Sequence, residues 1–258
     1  MGTGTKFFWS RWSSLGTTAI RYRLERGVLG IVWHGYGDEE KGWQERKKSL
    51  MTVLAKPLSK YVIHSVSFGS EPLYSWSVGG GYSYLNELMA IKAELKPLGI
   101  PLTVSEMKYG YDVQSSIKQQ VINAIDFVSA HVMPYYGTCK MPGDVWWDIT
   151  NDIDQFQKMI PGKQVMITQN PWGFDKYGRN RGGICQNEGK DVWTGVSPAG
   201  FTTYWNLWTN NCAYFKQKKI GWFAHVFSAE SEYNFGIYGQ YSDLYPYPKR
   251  IDFNPKPC

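Results

Sequence analysis

Three polar side chains stand at the ends of apolar runs where a fold delivers chemistry. Glu71 follows YVIHSVSF, Glu106 closes IPLTVSE, and Gln169 closes KQVMITQ within ITQNPWGF. Cleavage of a glycosidic bond commonly uses two carboxyl groups, about 5–5.5 Å apart for retention and roughly 6.5–9.5 Å for inversion. One protonates the leaving oxygen while the other attacks the sugar or activates water. Glu71 is the expected acid, since a strand end among Phe68, Pro72, Leu73 and Trp76 desolvates a carboxyl and raises its pKa. The competing reading pairs it with a Lys or Arg at the rim. Glu106 is the candidate second carboxylate, because adjacent strands lie ~4.8 Å apart. Its alternative role, with Ser105, is to hydrogen-bond substrate or neighbours. Gln169 is a neutral amide and forms no glycosyl ester under ordinary conditions.

The elements that must position these residues alternate. Six short apolar runs, VLGIVW, YVIHSVSF, IPLTVSE, FVSAHVM, KQVMITQ and IGWFAHVF, read as strands buried on both faces. Between several of them, WQERKKSLMTVLAKPL, SYLNELMAIKAELKPLG, SIKQQVINAI and DITNDIDQFQKMIPGK carry apolar residues three and four apart, as helices do. The alternation predicts an α/β fold with a parallel sheet. A G-x-G-x-x-G turn after the first strand is absent, and Gly79-Gly80-Gly81 reads as a loop. Polar chemistry at the strand ends therefore favours a (β/α)8 TIM barrel. It comprises Glu71, Glu106, His131 and Tyr135 on the fourth run, Gln169, and Glu230 and Glu232 after the sixth. With TTAIRYRL as the only seventh candidate, the barrel is expected to lack or replace its first strands. One domain over 1–258 is expected, with 1–27 divergent or truncated.

Composition narrows the partners. The 28 Lys+Arg against 22 Asp+Glu are scattered, the densest cluster being Arg46-Lys47-Lys48, which excludes a nucleic-acid footprint. No run reaches the ~18–20 apolar residues of a membrane span, and the first residues lack a signal-peptide apolar segment. Aromatic residues make up 16% of the chain and serve equally as core or as sugar-stacking faces. Trp172, Trp222, Tyr109 and Tyr135 are the stacking candidates. His131 and His225 lie in apolar runs and read as core or rim residues rather than metal ligands. No metal cluster is visible and no cofactor is required. Cys139, Cys185, Cys212 and Cys258 allow two disulfides or four thiols. The terminal position of Cys258 favours a clasp with Cys212, and with it an oxidising compartment.

Four segments together resemble glycoside hydrolase family 17, the β-1,3-glucanases, in a fungal-type form. SVSFGSEPL is similar to the strand-four V-G-N-E signature, HVMPYYG to the strand-six segment, ITQNPWGF to T-E-T-G-W-P-S at strand seven, and IGWFAHVFSAESEYNFGIYG to the last strand and its loop. GIPLTVSEMKYGY matches a fungal G-I-P-x-T-V-S-E-x-x-Y-G-Y segment. The resemblance, from about Val28 to Cys258, implies Glu71 as acid/base and Gln169 at the nucleophile's position. Ser70 replaces an asparagine that contacts the sugar 2-hydroxyl. His131 and Tyr135 would line the cleft, with Tyr135 near Gln169. Glu230 and Glu232 fall where acidic residues contact substrate, or form a solvated pair. The implied activity is that of an endo-β-1,3-glucosidase or transglycosylase on cell-wall glucan, secreted and monomeric. The alternative is a non-catalytic β-glucan-binding barrel that has lost its nucleophile.

Overall fold

The computed structural model describes residues 27–31, 40–74, 81–113, 116–175, 195–226, 228–230, 232–239 and 249–251. The expected strand TTAIRYRL lies outside them. The chain forms two compact units, Met1–Ala130 and His131–Cys258.

In the first unit β1 (Gly27–Ile31), β2 (Ile63–Ser70), β3 (Leu102–Met107) and β4 (Val128–His131, its last residue opening the second unit) follow in spatial order. The pairs β1–β2 and β2–β3 are parallel. β2 is buried on both faces: Ile63, Val66 and Phe68 are covered, and so are Ser65 and Ser67. That double burial accounts for its near-continuous apolar sequence. Two helices cover it, α1 (Glu40–Leu54) and α3 (Gly81–Leu95), with the single turn α2 (Ser59–Val62) between α1 and β2. Trp43 of α1 meets the Phe68 ring edge-on at 5.9 Å, and Tyr84 of α3 stacks on it at 5.7 Å. Gly81, read above as loop, begins α3. The start of β3 is tied to the start of β4: Asp126 N–H donates to Leu102 O, and Leu102 N–H donates to the Asp126 carboxylate. Thr103 Oγ1 donates to Phe127 O, and Ser105 Oγ and Ser129 Oγ lie 2.6 Å apart. Two short helices, α4 (Lys108–Val113) and α5 (Lys118–Ala124), connect β3 to β4.

In the second unit α6 (Pro134–Gly137) follows β4, and β5 (Val165–Gln169) pairs in parallel with the short β6 (Gly221–Trp222). Before β5, α7 (Trp146–Met159) buries Ile149, Ile153 and Phe156, the stripe read from its sequence. Two further helices, α8 (Pro198–Asn210) and α9 (Cys212–Lys218), lie where no helix is expected above. Their apolar face is aromatic: Phe201, Tyr204, Trp205, Trp208 and Phe215 are all buried. Trp208 stacks on Phe215 at 5.3 Å, and Trp205 stacks on Trp222 of β6 at 6.3 Å. Tertiary packing of rings thus overrides the weak helix propensity of Phe, Tyr, Trp, Thr and Asn. Cys139 and Cys212 are each engaged in a disulfide. The expected pairing of Cys212 with Cys258 involves a residue outside the described set.

The first turn of α8 is built tightly. Ser197 caps it, its Oγ accepting from Gly200 N–H at 3.1 Å, and Pro198 opens the helix. A Cβ on Gly200 would come within 2.0 Å of the Gly195 carbonyl oxygen, a backbone atom that cannot swing aside. Gly200→Ala is therefore expected to lower stability by roughly 2 kcal/mol or more, the cost of steric overpacking. Urea unfolding measures it, and an unchanged midpoint would refute the packing described.

Candidate active site

The strand end carrying Glu71 is a constrained turn. Ser70 lies opposite Ser105 in the β2–β3 register, and Glu71 N–H donates to Ser105 O at 2.8 Å. Gly69 adopts φ 102°, and a Cβ there would meet Pro72 Cγ at 2.7 Å, so only glycine fits. Glu71 itself adopts φ 54°. A left-handed non-glycine residue costs on the order of 1 kcal/mol and persists where its surroundings over-determine it. Ser70 and Glu71 are half-buried.

Glu106, the neighbouring strand-end carboxyl, is 0% exposed. Its Oε2 accepts from the N–H groups of Leu73 (2.7 Å) and Tyr74 (3.2 Å), and its Oε1 from Met107 N–H (2.9 Å). One carboxyl thus anchors the loop that follows Glu71. Burial raises its pKa to about 8; the bonds from Leu73, Met107 and Tyr74 pull it down, and the charge of Glu71 pushes it up. Beneath it Tyr111 is fully buried, as is Tyr84, whose hydroxyl donates to Phe68 O at 2.6 Å. Burial pushes both phenols up. The arrangement favours the alternative written above for Glu106, that of holding its neighbours.

Tyr109, on α4, is 57% exposed and meets Tyr74, 39% exposed, with ring centroids 5.7 Å apart. Sequence reasoning missed Tyr74. Its signal is an aromatic three residues past the candidate acid in EPLY.

In the second unit His131 ends β4 and is buried. Gln169 ends β5, half-buried, and its carbonyl accepts from Val132 N–H at 2.9 Å. The next residue, Asn170, is fully buried. Its Oδ1 accepts from His225 N–H and its carbonyl from the Tyr204 hydroxyl. Asn170 is a second residue the sequence reading passed over, although it adjoins Gln169. Trp172 and Tyr135 are not open stacking faces: they are 3% and 7% exposed. Trp172 stacks on Tyr204 at 4.9 Å, meets Tyr135 edge-on at 5.5 Å, and donates Nε1–H to Gly195 O. Tyr135 also packs on Phe235. Trp222 is half-buried against Trp205 and Trp208. Glu232 is engaged rather than merely solvated, its Oε1 2.9 Å from His225 Nε2. Glu230 is half-buried.

The buried Glu106 makes stability depend on pH. Its folded-state pKa, about 8, stands above the 4.5 of an ordinary Glu, so the folded chain holds the proton more tightly. Stability therefore falls as pH rises from about 4.5 to about 8, by roughly 3–5 kcal/mol in total. In Glu106→Gln the amide oxygen keeps the Leu73 and Tyr74 bonds, while the amide nitrogen loses that from Met107. We expect this variant to be less stable than wild type at pH 5 and to lose the decline. Urea melts at pH 5, 6, 7 and 8 test this; a wild-type slope in the variant would contradict it.

No protein-family model matches the sequence, and no curated protein does either. Solved structures do match in fold. A glycoside hydrolase family 17 β-1,3-glucanosyltransferase from Rhizomucor miehei shares 20% identity at TM-score 0.67, over 92% of this chain and 78% of that one. An active-site mutant of the R. miehei β-1,3-glucanosyltransferase in complex with laminaritriose gives 19% and 0.65 over the same shares. The catalytic core of a xylanase A gives 14% and 0.52, covering 95% and 82%. The chain thus has the α/β fold of (β/α)8-barrel glycoside hydrolases, and its resemblance to family 17 extends from motifs to fold.

Proposed function

We propose that this chain is one glycosidase-like domain acting on β-1,3-glucan, as an endo-glucosidase or transglycosylase, with Glu71 as acid/base. The observation that carries the reading is the turn at Glu71. A half-buried carboxyl sits on left-handed backbone, its N–H bonded to Ser105 and its following loop anchored by Glu106. Such a group can hand a proton to a leaving glycosidic oxygen and take one back from an incoming hydroxyl. Ser70, His131, Tyr109, Trp222, Glu230 and Glu232 are proposed to contact substrate, and Tyr135 and Trp172 to support those that do. Glu106 acts by positioning. The disulfide-bonded Cys139 and Cys212 support a secreted or cell-wall setting of fungal type. We take the working form to be a monomer.

A second reading, a β-glucan-binding protein without turnover, is favoured by Gln169. On the family reading that amide holds the nucleophile's position, and an amide forms no glycosyl ester under ordinary conditions. The two readings separate on laminarin, a soluble β-1,3-glucan, by release of reducing ends and by transfer products. If the chain is an enzyme, Glu71→Gln loses about 100-fold or more in turnover, the usual worth of a general acid. Gln169→Glu supplies the missing carboxylate and raises turnover by about 100-fold or more. Tight binding without products, in wild type and in Gln169→Glu alike, would sink the enzyme reading.

A further inference from the structure

We infer that Tyr74 and Tyr109 form a sugar-ring platform assembled by the buried carboxyl of Glu106. The inference rests on the glucan-acting reading above and assigns part of its binding surface. Phe68, Tyr84 and Tyr111, near the ends of β2 and β3, are completely buried, whereas Tyr74 and Tyr109 keep 39% and 57% of their surface in water. Their rings are nonetheless ordered against each other, 5.7 Å apart at 60°. Both lie on backbone that packs against the same group. Tyr74 N–H donates directly to Glu106 Oε2. Tyr109 precedes Gly110, whose backbone lies so close that a Cβ would stand 2.4 Å from the Glu106 carboxyl carbon and Oε1. The carboxyl therefore sits between the turn that ends in Tyr74 and the first turn of α4, which carries Tyr109.

Two phenol rings held at an angle offer apolar faces to the C–H side of a pyranose and hydroxyls to its rim, the amphipathic match that tyrosine supplies. The platform begins three residues after Glu71, so a bound glucan residue would lie beside the proposed acid. Glu106 is a positioning residue here: it is sealed from solvent and reaches the sugar only through the tyrosines.

Calorimetric titration of the full chain with laminaripentaose, and with cellopentaose and xylopentaose for comparison, tests the assignment. Tyr74→Ala and Tyr109→Ala are each expected to raise Kd for laminaripentaose about tenfold, while Tyr109→Phe stays within about twofold. Tyr109 is largely exposed, so its variant keeps the fold, as circular dichroism would verify. Glu106→Ala is expected to weaken binding in the wild-type background and to have no further effect once both tyrosines are alanine. A purely structural role would weaken binding in both backgrounds. Laminaripentaose binding that ignores both alanine variants overturns the platform and leaves the glucan reading standing. Loss through the same tyrosines with only cellopentaose or xylopentaose as ligand upholds the platform and removes that reading. Binding of none of the three removes both.

Discussion

Three backbone N–H groups converging on one buried carboxyl, that of Glu106, hold the strand-end chemistry of the first unit together. A carboxyl without solvent is expensive, and this one is tolerated because each oxygen is used. The remaining tension appears as its raised pKa. Two of the bonded groups, Leu73 and Tyr74, come from the turn after β2, and the third is Met107, the last residue of β3 and the next in sequence to Glu106. Glu106 therefore ties the turn after β2 to the end of β3 through main-chain N–H groups.

The second unit solves the same problem with rings. Trp172, Tyr204, Trp205, Trp208 and Phe215 form a continuous aromatic pack behind the ends of β5 and β6. Tyr204 contributes twice, stacking on Trp172 and donating its hydroxyl to the carbonyl of Asn170. Asn170 in turn receives His225 N–H, so the residue after Gln169 is held from α8 and from the loop after β6. Here the polar contacts are few and the stiffness comes from packed area.

Each of the six apolar runs holds a strand, and at β2, β3 and β4 burial on both faces is what leaves that compositional trace. α7 was legible for the analogous reason, its 3–4 spacing. α8 and α9 were not, because their apolar face is made of aromatic residues interleaved with Thr and Asn, and rings earn a helix only through contacts that sequence does not display. At the candidate site, strand-end position singled out Glu71, Glu106 and Gln169. Which carboxyl is buried was not readable, since Glu71 has the more apolar neighbours in sequence while Glu106 has them in space. Trp172 illustrates the same limit. A tryptophan beside a site looks like a sugar platform, and here Tyr204 and Tyr135 already cover it.

The main-chain restraints around Gln169 have an evolutionary consequence. Its carbonyl is taken by Val132, and its neighbour Asn170 is fixed through both side chain and carbonyl. The backbone address of residue 169 is thus written by bonds that make no reference to whether its side chain is an acid or an amide. Glutamate and glutamine codons differ by a single base. On the reading proposed, the step between a covalent catalyst and a protein that only grips its polysaccharide is one nucleotide wide, and these main-chain bonds are the same on either side of it.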